Sequence, residues 1–306
     1  MTEASGNSSD TSPDELGGDT ESPQPTKTPL FEATNADRYR RQELIKLIQD
    51  RTERRLICYV SSLNSPIDRD DIVPFVDLLH RVPREHDLDL LLHTPGGNPD
   101  TAEKLMGMMR RHVGRSSLRV VVPDFAKSAG TLMVLGADRV VMSDMSELGP
   151  IDPQINVAGQ WQSVQSYLDA FAAHSETLRT NPDDIAARIM LGKLDPVVLK
   201  RCEALLERVR QAAEGLLVSG MFRTGGNWTR TPSELLNTRQ WLSHGQTITW
   251  EDAGDPHVGL NVEHLDYHSE TWQRYWRLYC LQRLAVSDGQ KLYESDYVSL
   301  ILRSGQ

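Results

Sequence analysis

The stretches DLDLLLHTPGGN (87–98) and LRVVVPDFAKSAGTLMVLGA (118–137) decide the fold. Each begins with an apolar run too short for a helix, which reads as a buried strand. Each run ends in a glycine-containing turn and passes into a helical pattern, PDTAEKLMGMMRRH (99–112) in the first case and KSAGTLMVLGA (127–137) in the second. Pro99 and Asp100 suit the first turn of a helix. Continuous rather than alternating apolar strands, separated by helices, predict a mainly parallel sheet covered on both faces, hence an α/β fold.

Outward from these stretches the alternation continues. Residues 36–55 read as a charged amphipathic helix, 56–62 as a buried strand, 68–82 as a helix with an acidic first turn, and 138–144 as a further strand. Beyond residue 155 helices dominate, over 161–180, 182–192 and 196–218. The last carries Leu199, Cys202, Leu205, Leu206 and Val209 at helical spacing. A polar stretch at 224–232 leads to a helix at 233–241, a strand at 258–262 and a closing helix at 270–286. Trp272, Tyr275, Trp276 and Tyr279 recur three to four apart there, the spacing of core or interface packing. The expected organisation is a disordered acidic tail (1–35), a catalytic core (36–220), and a C-terminal extension (221–306) that packs on the core or on a neighbouring subunit.

Charge sharpens this division. The chain has 306 residues and a net charge of −10. Residues 1–36 carry seven acids and one base, and the other 270 residues are only −4. A Ser/Thr/Pro/Gly-rich acidic leader cannot bury enough surface to offset chain entropy. The near-balanced remainder gives no basic surface for nucleic acid. No apolar run reaches membrane-spanning length, and MTEASGNSSD has neither part of a secretory signal. Cys58, Cys202 and Cys280 are far apart, which excludes a disulfide framework and argues against a cysteine-built zinc site. A reducing, cytoplasmic setting is expected.

The two turns carry the chemistry. Neither His93–Asn98 nor Ala126–Thr131 is a P-loop or a GxGxxG fingerprint. Gly96-Gly97 at a strand end can present bare backbone N–H groups to a ligand. Ser128, at the start of a helix and followed by Ala129 and Gly130, is placed as a nucleophile, although serine is also a common helix cap. His93 either orients substrate or hydrogen-bonds at its strand end.

Strand–PGG–helix followed by strand–SAG–helix resembles the Clp-protease/crotonase superfamily. The run AKSAGTLMVLGADRVVMSDMSELGPIDPQI (126–155), with LDPVVL (194–199), LSHG (242–245) and VGLNVE (258–263), is similar to the serine dehydrogenase proteinase family, Clp-fold relatives of signal peptide peptidase A. The resemblance implies a superhelix of ββα units with C-terminal helical additions. It also implies a serine peptidase assembled as a trimer or ring, acting on peptide or protein substrates without metal or other cofactor. Carried over by position, Ser128 is the nucleophile and the N–H groups of Gly97 and Ala129 form the oxyanion hole, with Gly96 permitting the turn. Clp proteases place a histidine about 25 residues after the serine, where this chain has Glu147–Pro153 and none. The signal-peptide-peptidase branch uses a downstream lysine, which maps best onto Lys193, with Met190, Leu191 and Leu194 as its expected apolar wall. His244 is the other candidate base. Lys127 could bind an anionic group, and Asp152, between prolines, could wall the cleft. Relatives of this branch commonly carry membrane anchors, so their absence here points to soluble substrates. The alternatives are a crotonase-like enzyme binding acyl thioesters and a catalytically silent ring scaffold.

Overall fold

The computed structural model describes residues 28–157 and 159–304. The chain divides into two units, Met1–Ala36 and Asp37–Gln306. Most of the expected acidic tail therefore lies outside the described residues. In its described part, Pro29–Thr34 forms helix α1, with Pro29 at its start and the Thr28 hydroxyl accepting from the Phe31 N–H. A proline at the first helical position behind a threonine cap is enough to start a short helix in this polar span.

From there the elements run α2 (Ala36–Thr52), β1 (Arg55–Ser61), α3 (Ile72–His80), β2 (Leu88–His93), α4 (Pro99–Val113), β3 (Leu118–Val121), β4 (Phe125–Ala126), α5 (Ala129–Leu135), β5 (Arg139–Met142) and β6 (Glu147–Leu148). A hairpin, β7 (Gln154–Val157) and β8 (Gln160–Ser163), opens the helical arm α6 (Val164–Thr180), α7 (Ile185–Leu191) and α8 (Pro196–Ser219). The remainder is α9 (Arg230–Leu235), α10 (Trp250–Gly254), β9 (Val262–His264), α11 (Glu270–Ala285), β10 (Gln290–Glu294) and β11 (Ser299–Arg303).

One sheet of seven strands organises the fold, in the order β11-β10-β1-β2-β3-β5-β9. β1, β2, β3, β5 and β9 are parallel, and β10 and β11 add an antiparallel edge. All six residues of β2 are buried, as a strand covered on both faces requires. Leu90 and Leu92 face a core with α3, α4 and α5, while Leu91 faces α2 and α11, where Trp272 and Tyr275 are fully buried. The aromatic stripe of α11 is thus core packing.

Above the strand ends runs a second, shorter set of pairings. Thr94 bridges Ala126 in parallel, β4 pairs with β6, and Leu148 bridges Ile248 in antiparallel sense. β3–β4–α5 is a ββα unit, and this upper layer holds both signature turns.

The stretch expected as an extension, 221–306, contributes three strands to the main sheet. β10 covers the side of β1 that would otherwise expose unpaired N–H and C=O groups. Its hydropathy hides it, because Lys291 and Glu294 are buried at 2% and 0% exposure and read as surface residues. Two expected elements shift, with the helix at 230–235 rather than 233–241 and the strand at 262–264 rather than 258–262. No helix among the described residues is long and apolar enough to cross a membrane.

Candidate active site at the Gly96-Gly97 and Ser128 turns

The two turns are laced together by backbone. Thr94 N–H donates to the Phe125 carbonyl and Lys127 N–H donates to the Thr94 carbonyl, both at 3.1 Å. Gly96 and Gly97 have φ of +100° and +142°, a region side chains rarely adopt. A Cβ on Gly96 would lie 2.8 Å from Ser128 Cβ, and one on Gly97 would lie 2.3 Å from the Ile67 carbonyl oxygen. Only glycine permits this approach on either side.

Ile67 flanks the glycines as a one-residue parallel strand. Its N–H donates to Gly96 O at 2.6 Å, and its carbonyl accepts from Asn98 N–H at 2.8 Å. Pairing on both sides of Gly97 leaves the Gly97 N–H, on an exposed residue, without an acceptor among the described residues.

Ser128 has φ +52° and ψ −115°, one of three non-glycine residues with positive φ among those described. Such a conformation costs about 1–3 kcal/mol and survives only where its surroundings over-determine it. Here Lys127 O accepts from Gly130 N–H at 2.7 Å, Ser128 O from Leu132 N–H at 3.1 Å, and Ala126 O from the Thr131 hydroxyl at 2.9 Å. All seven residues of α5 are buried. Ser128 sits at the cap position but makes no capping bond, and its hydroxyl has no hydrogen-bond partner among the described residues. The Ala129 N–H likewise has no acceptor among the described residues.

Lys127, half-buried, points away along the upper layer. Its ammonium donates to Glu147 Oε2 at 2.5 Å and to the Leu148 carbonyl at 3.0 Å, and reaches the Gln246 carbonyl at 3.5 Å. It is an internal clamp rather than a free anion binder. Burial raises the Glu147 pKa, but hydrogen bonds from Lys127 and Thr247 and the Lys127 charge outweigh it and leave the carboxyl below its ordinary range.

Asp152 and His244, 92 residues apart in sequence, are brought together, with His244 Nδ1 at 2.7 Å from Asp152 Oδ1. Asp152 is buried, and its other oxygen accepts from Gln154 Nε2 at 2.8 Å. The pair lines a cleft of about 510 Å³ with Trp241, Leu242 and Arg239, and Ser128 stands outside that lining. The upper layer relates them: β4 and β6 run side by side, Gly149 lies against Lys127, and Leu148 is paired with Ile248.

Lys193 is elsewhere. It is exposed on the connection between α7 and α8 and has no side-chain partner among the described residues. The apolar wall expected around it does not form within the chain, since Met190 is itself 48% exposed. His93 is fully buried on the far face, against Phe125 and Tyr279. Burial, with help from Arg283, pushes its pKa down to about 3, so it is a neutral packing group.

Residues 35–181, which contain both turns, match the family described as ClpP-like SDH-type serine proteinase. The similarity to that family extends over just under half of the chain. The SDH-type match ends just after α6, before α8 and the C-terminal strands. Two proteins of Methanocaldococcus jannaschii are similar. The uncharacterized protein MJ0137 is 35% identical over 187 residues, 60% of this chain and 56% of that one. The uncharacterized protein MJ1495 is 34% identical over 94 residues, 31% of this chain and 30% of that one. The chain thus spans little more than half of the first relative and under a third of the second. Among solved structures, a mutant of the 1510-N membrane-bound stomatin-specific protease is similar over 69% of this chain and 80% of that one, at 15% identity and a TM-score of 0.42.

The site residues that sequence reasoning missed are Ile67 and the groups behind it. A single bridging residue between Pro66 and Asp68 leaves no periodic signal.

Proposed function

We propose that the chain is a serine peptidase with Ser128 as nucleophile. The reading is supported by the close approach of the Gly96-Gly97 turn to Ser128 and by the strained Ser128 backbone, with the Ser128 hydroxyl and the Gly97 and Ala129 N–H groups lacking hydrogen-bond partners among the described residues. Ser128 Oγ attacks the peptide carbonyl carbon, and the carbonyl oxygen becomes an oxyanion that accepts from the Gly97 and Ala129 N–H groups. Such donors contribute more in the transition state than in the ground state. The serine proton passes to a base and on to the leaving amine, and water then releases the acyl-enzyme.

The His244–Asp152 pair is the better-supported base. A Nδ1–H donated to Asp152 leaves Nε2 as the proton acceptor, the arrangement of a catalytic triad. In this reading His244 comes within reach of Ser128 only in the substrate complex, since catalytic hydrogen bonds tighten there. Lys193, the base implied by the resemblance, requires movement of the α7–α8 connection or a neighbouring copy in a trimer or ring. Substrates in this reading are peptides or soluble proteins in the cytoplasm.

Hydrolysis of an unstructured protein such as casein tests the reading. Ser128→Ala abolishes it, His244→Ala lowers it about a hundredfold or more, and Lys193→Ala keeps it within a few-fold. Loss in Lys193→Ala with retention in His244→Ala returns the base to lysine. Turnover of acyl-CoA without peptide cleavage selects the crotonase-like alternative.

A further inference from the structure

Behind the Gly97 strand lies a buried charge cluster that the mechanism above does not use. Asp71 is fully buried and accepts from Tyr59 OH at 3.0 Å, from Tyr293 OH, from Lys291 Nζ at 2.7 Å and from the Asp68 N–H at 2.9 Å. Lys291 is 2% exposed and also binds Asp68 Oδ2 at 2.8 Å. Asp68 follows Ile67, the residue whose N–H and C=O hold Gly96 and Asn98. The cluster therefore grips the neighbour of Ile67 by its N–H and its carboxylate at once.

Within the serine-peptidase reading, we propose that Lys291 is a positioning residue for the Gly97 N–H. It acts through Asp68, Asp71 and Ile67 and touches no substrate. Its ammonium holds two carboxylates side by side that would otherwise repel. Their shared position fixes the turn at Ile67, and Ile67 fixes the peptide on each side of Gly97. A shift of the Ile67 strand moves the donor away from the place where the oxyanion forms, and such donors work only when pre-set. The C-terminal strand β10, outside the family-matched segment, thus sets the geometry of a turn nearly 200 residues earlier in the chain.

Hydrogen exchange on the full chain, followed by mass spectrometry, tests the proposal without requiring activity. In Lys291→Met, the Ile67 and Asn98 amides exchange about tenfold faster or more, while the amides of β2 and β3 keep wild-type rates. Asp68→Asn removes one of the lysine's partners without stranding the buried Asp71, and it shows the same local effect should Lys291→Met fail to fold. The rate of Ser128 labelling by a fluorophosphonate falls about tenfold in both variants. Lys291→Arg, which keeps the charge, recovers part of that loss. Unchanged exchange at Ile67 and Asn98, or equal acceleration through β1, β2 and β3, overturns the proposal. Absence of labelling in the wild type defeats the peptidase reading instead, and exchange alone then decides whether Lys291 holds the turn.

Discussion

The turns at Gly96-Gly97 and Ser128 differ sharply from the helical arm of α6, α7 and the start of α8. Every residue of α5 is buried, whereas α6 buries only Val164 and α7 only Ala187. The arm leaves Phe171, Ile185, Ile189 and Val197 at 42–70% exposure. A nucleophile and its oxyanion donors must be held to within fractions of an ångström, and only the first region is packed and hydrogen-bonded densely enough to do this. Lys193 lies in the second region, so the base implied by resemblance falls where this chain supplies no rigid surroundings.

The largest expected effect breaks the first region from within. Gly97→Ala forces a Cβ onto the Ile67 backbone, and activity falls roughly 10²–10³-fold, the scale of losing one oxyanion donor. Circular dichroism showing a folded variant with wild-type turnover would show that the turn tolerates displacement.

Acid probes the packing beneath the turns. His93 is neutral in the folded chain down to about pH 3, whereas an unfolded histidine binds a proton below about 6.5. The unfolded state therefore binds more protons in that window, and stability falls as pH drops from 6.5 towards 3. Urea unfolding at pH 6.5 and 4.5 is expected to show a loss on the order of 2–3 kcal/mol, and His93→Phe is expected to remove most of it. An equal loss in both proteins would assign the acid sensitivity elsewhere.

The Lys127–Glu147 clamp gives a smaller effect because Glu147 is partly exposed. Its lowered pKa contributes stability that is fully present above the ordinary glutamate value of 4.5 and disappears as pH falls through the folded value. Glu147→Gln should cost under about 1 kcal/mol at pH 7, and the difference should vanish well below pH 4.5. Smallest of all is Ile189→Asn on the exposed arm, with a stability change within about 0.5 kcal/mol. A larger loss there would mean that the arm is packed in solution, as it would be against a second copy of the chain.

This contrast also separates what the sequence announces from what it conceals. The apolar strands 88–93 and 118–121, with their glycine and serine turns, are legible because both faces are buried and the turns admit few residue types. β10 is not legible, since its buried positions carry Lys291 and Glu294, whose partners lie more than 200 residues away. The Asp152–His244 contact is concealed for the same reason: each residue was visible alone, but their meeting depends on the antiparallel return at Ile248. The hairpin β7–β8 is not legible because its mostly polar strands carry no apolar alternation, and residues 161–163 read instead as the first turn of the helix that begins at Val164.

The central claim is that Ser128 is an activated nucleophile. Incubation of the full chain with a fluorophosphonate, followed by peptide mass spectrometry, tests it most directly. A single adduct on the peptide containing Ser128, absent in Ser128→Ala, is the predicted result. An unmodified Ser128, or an equal yield of adduct on other hydroxyls in both proteins, would contradict it.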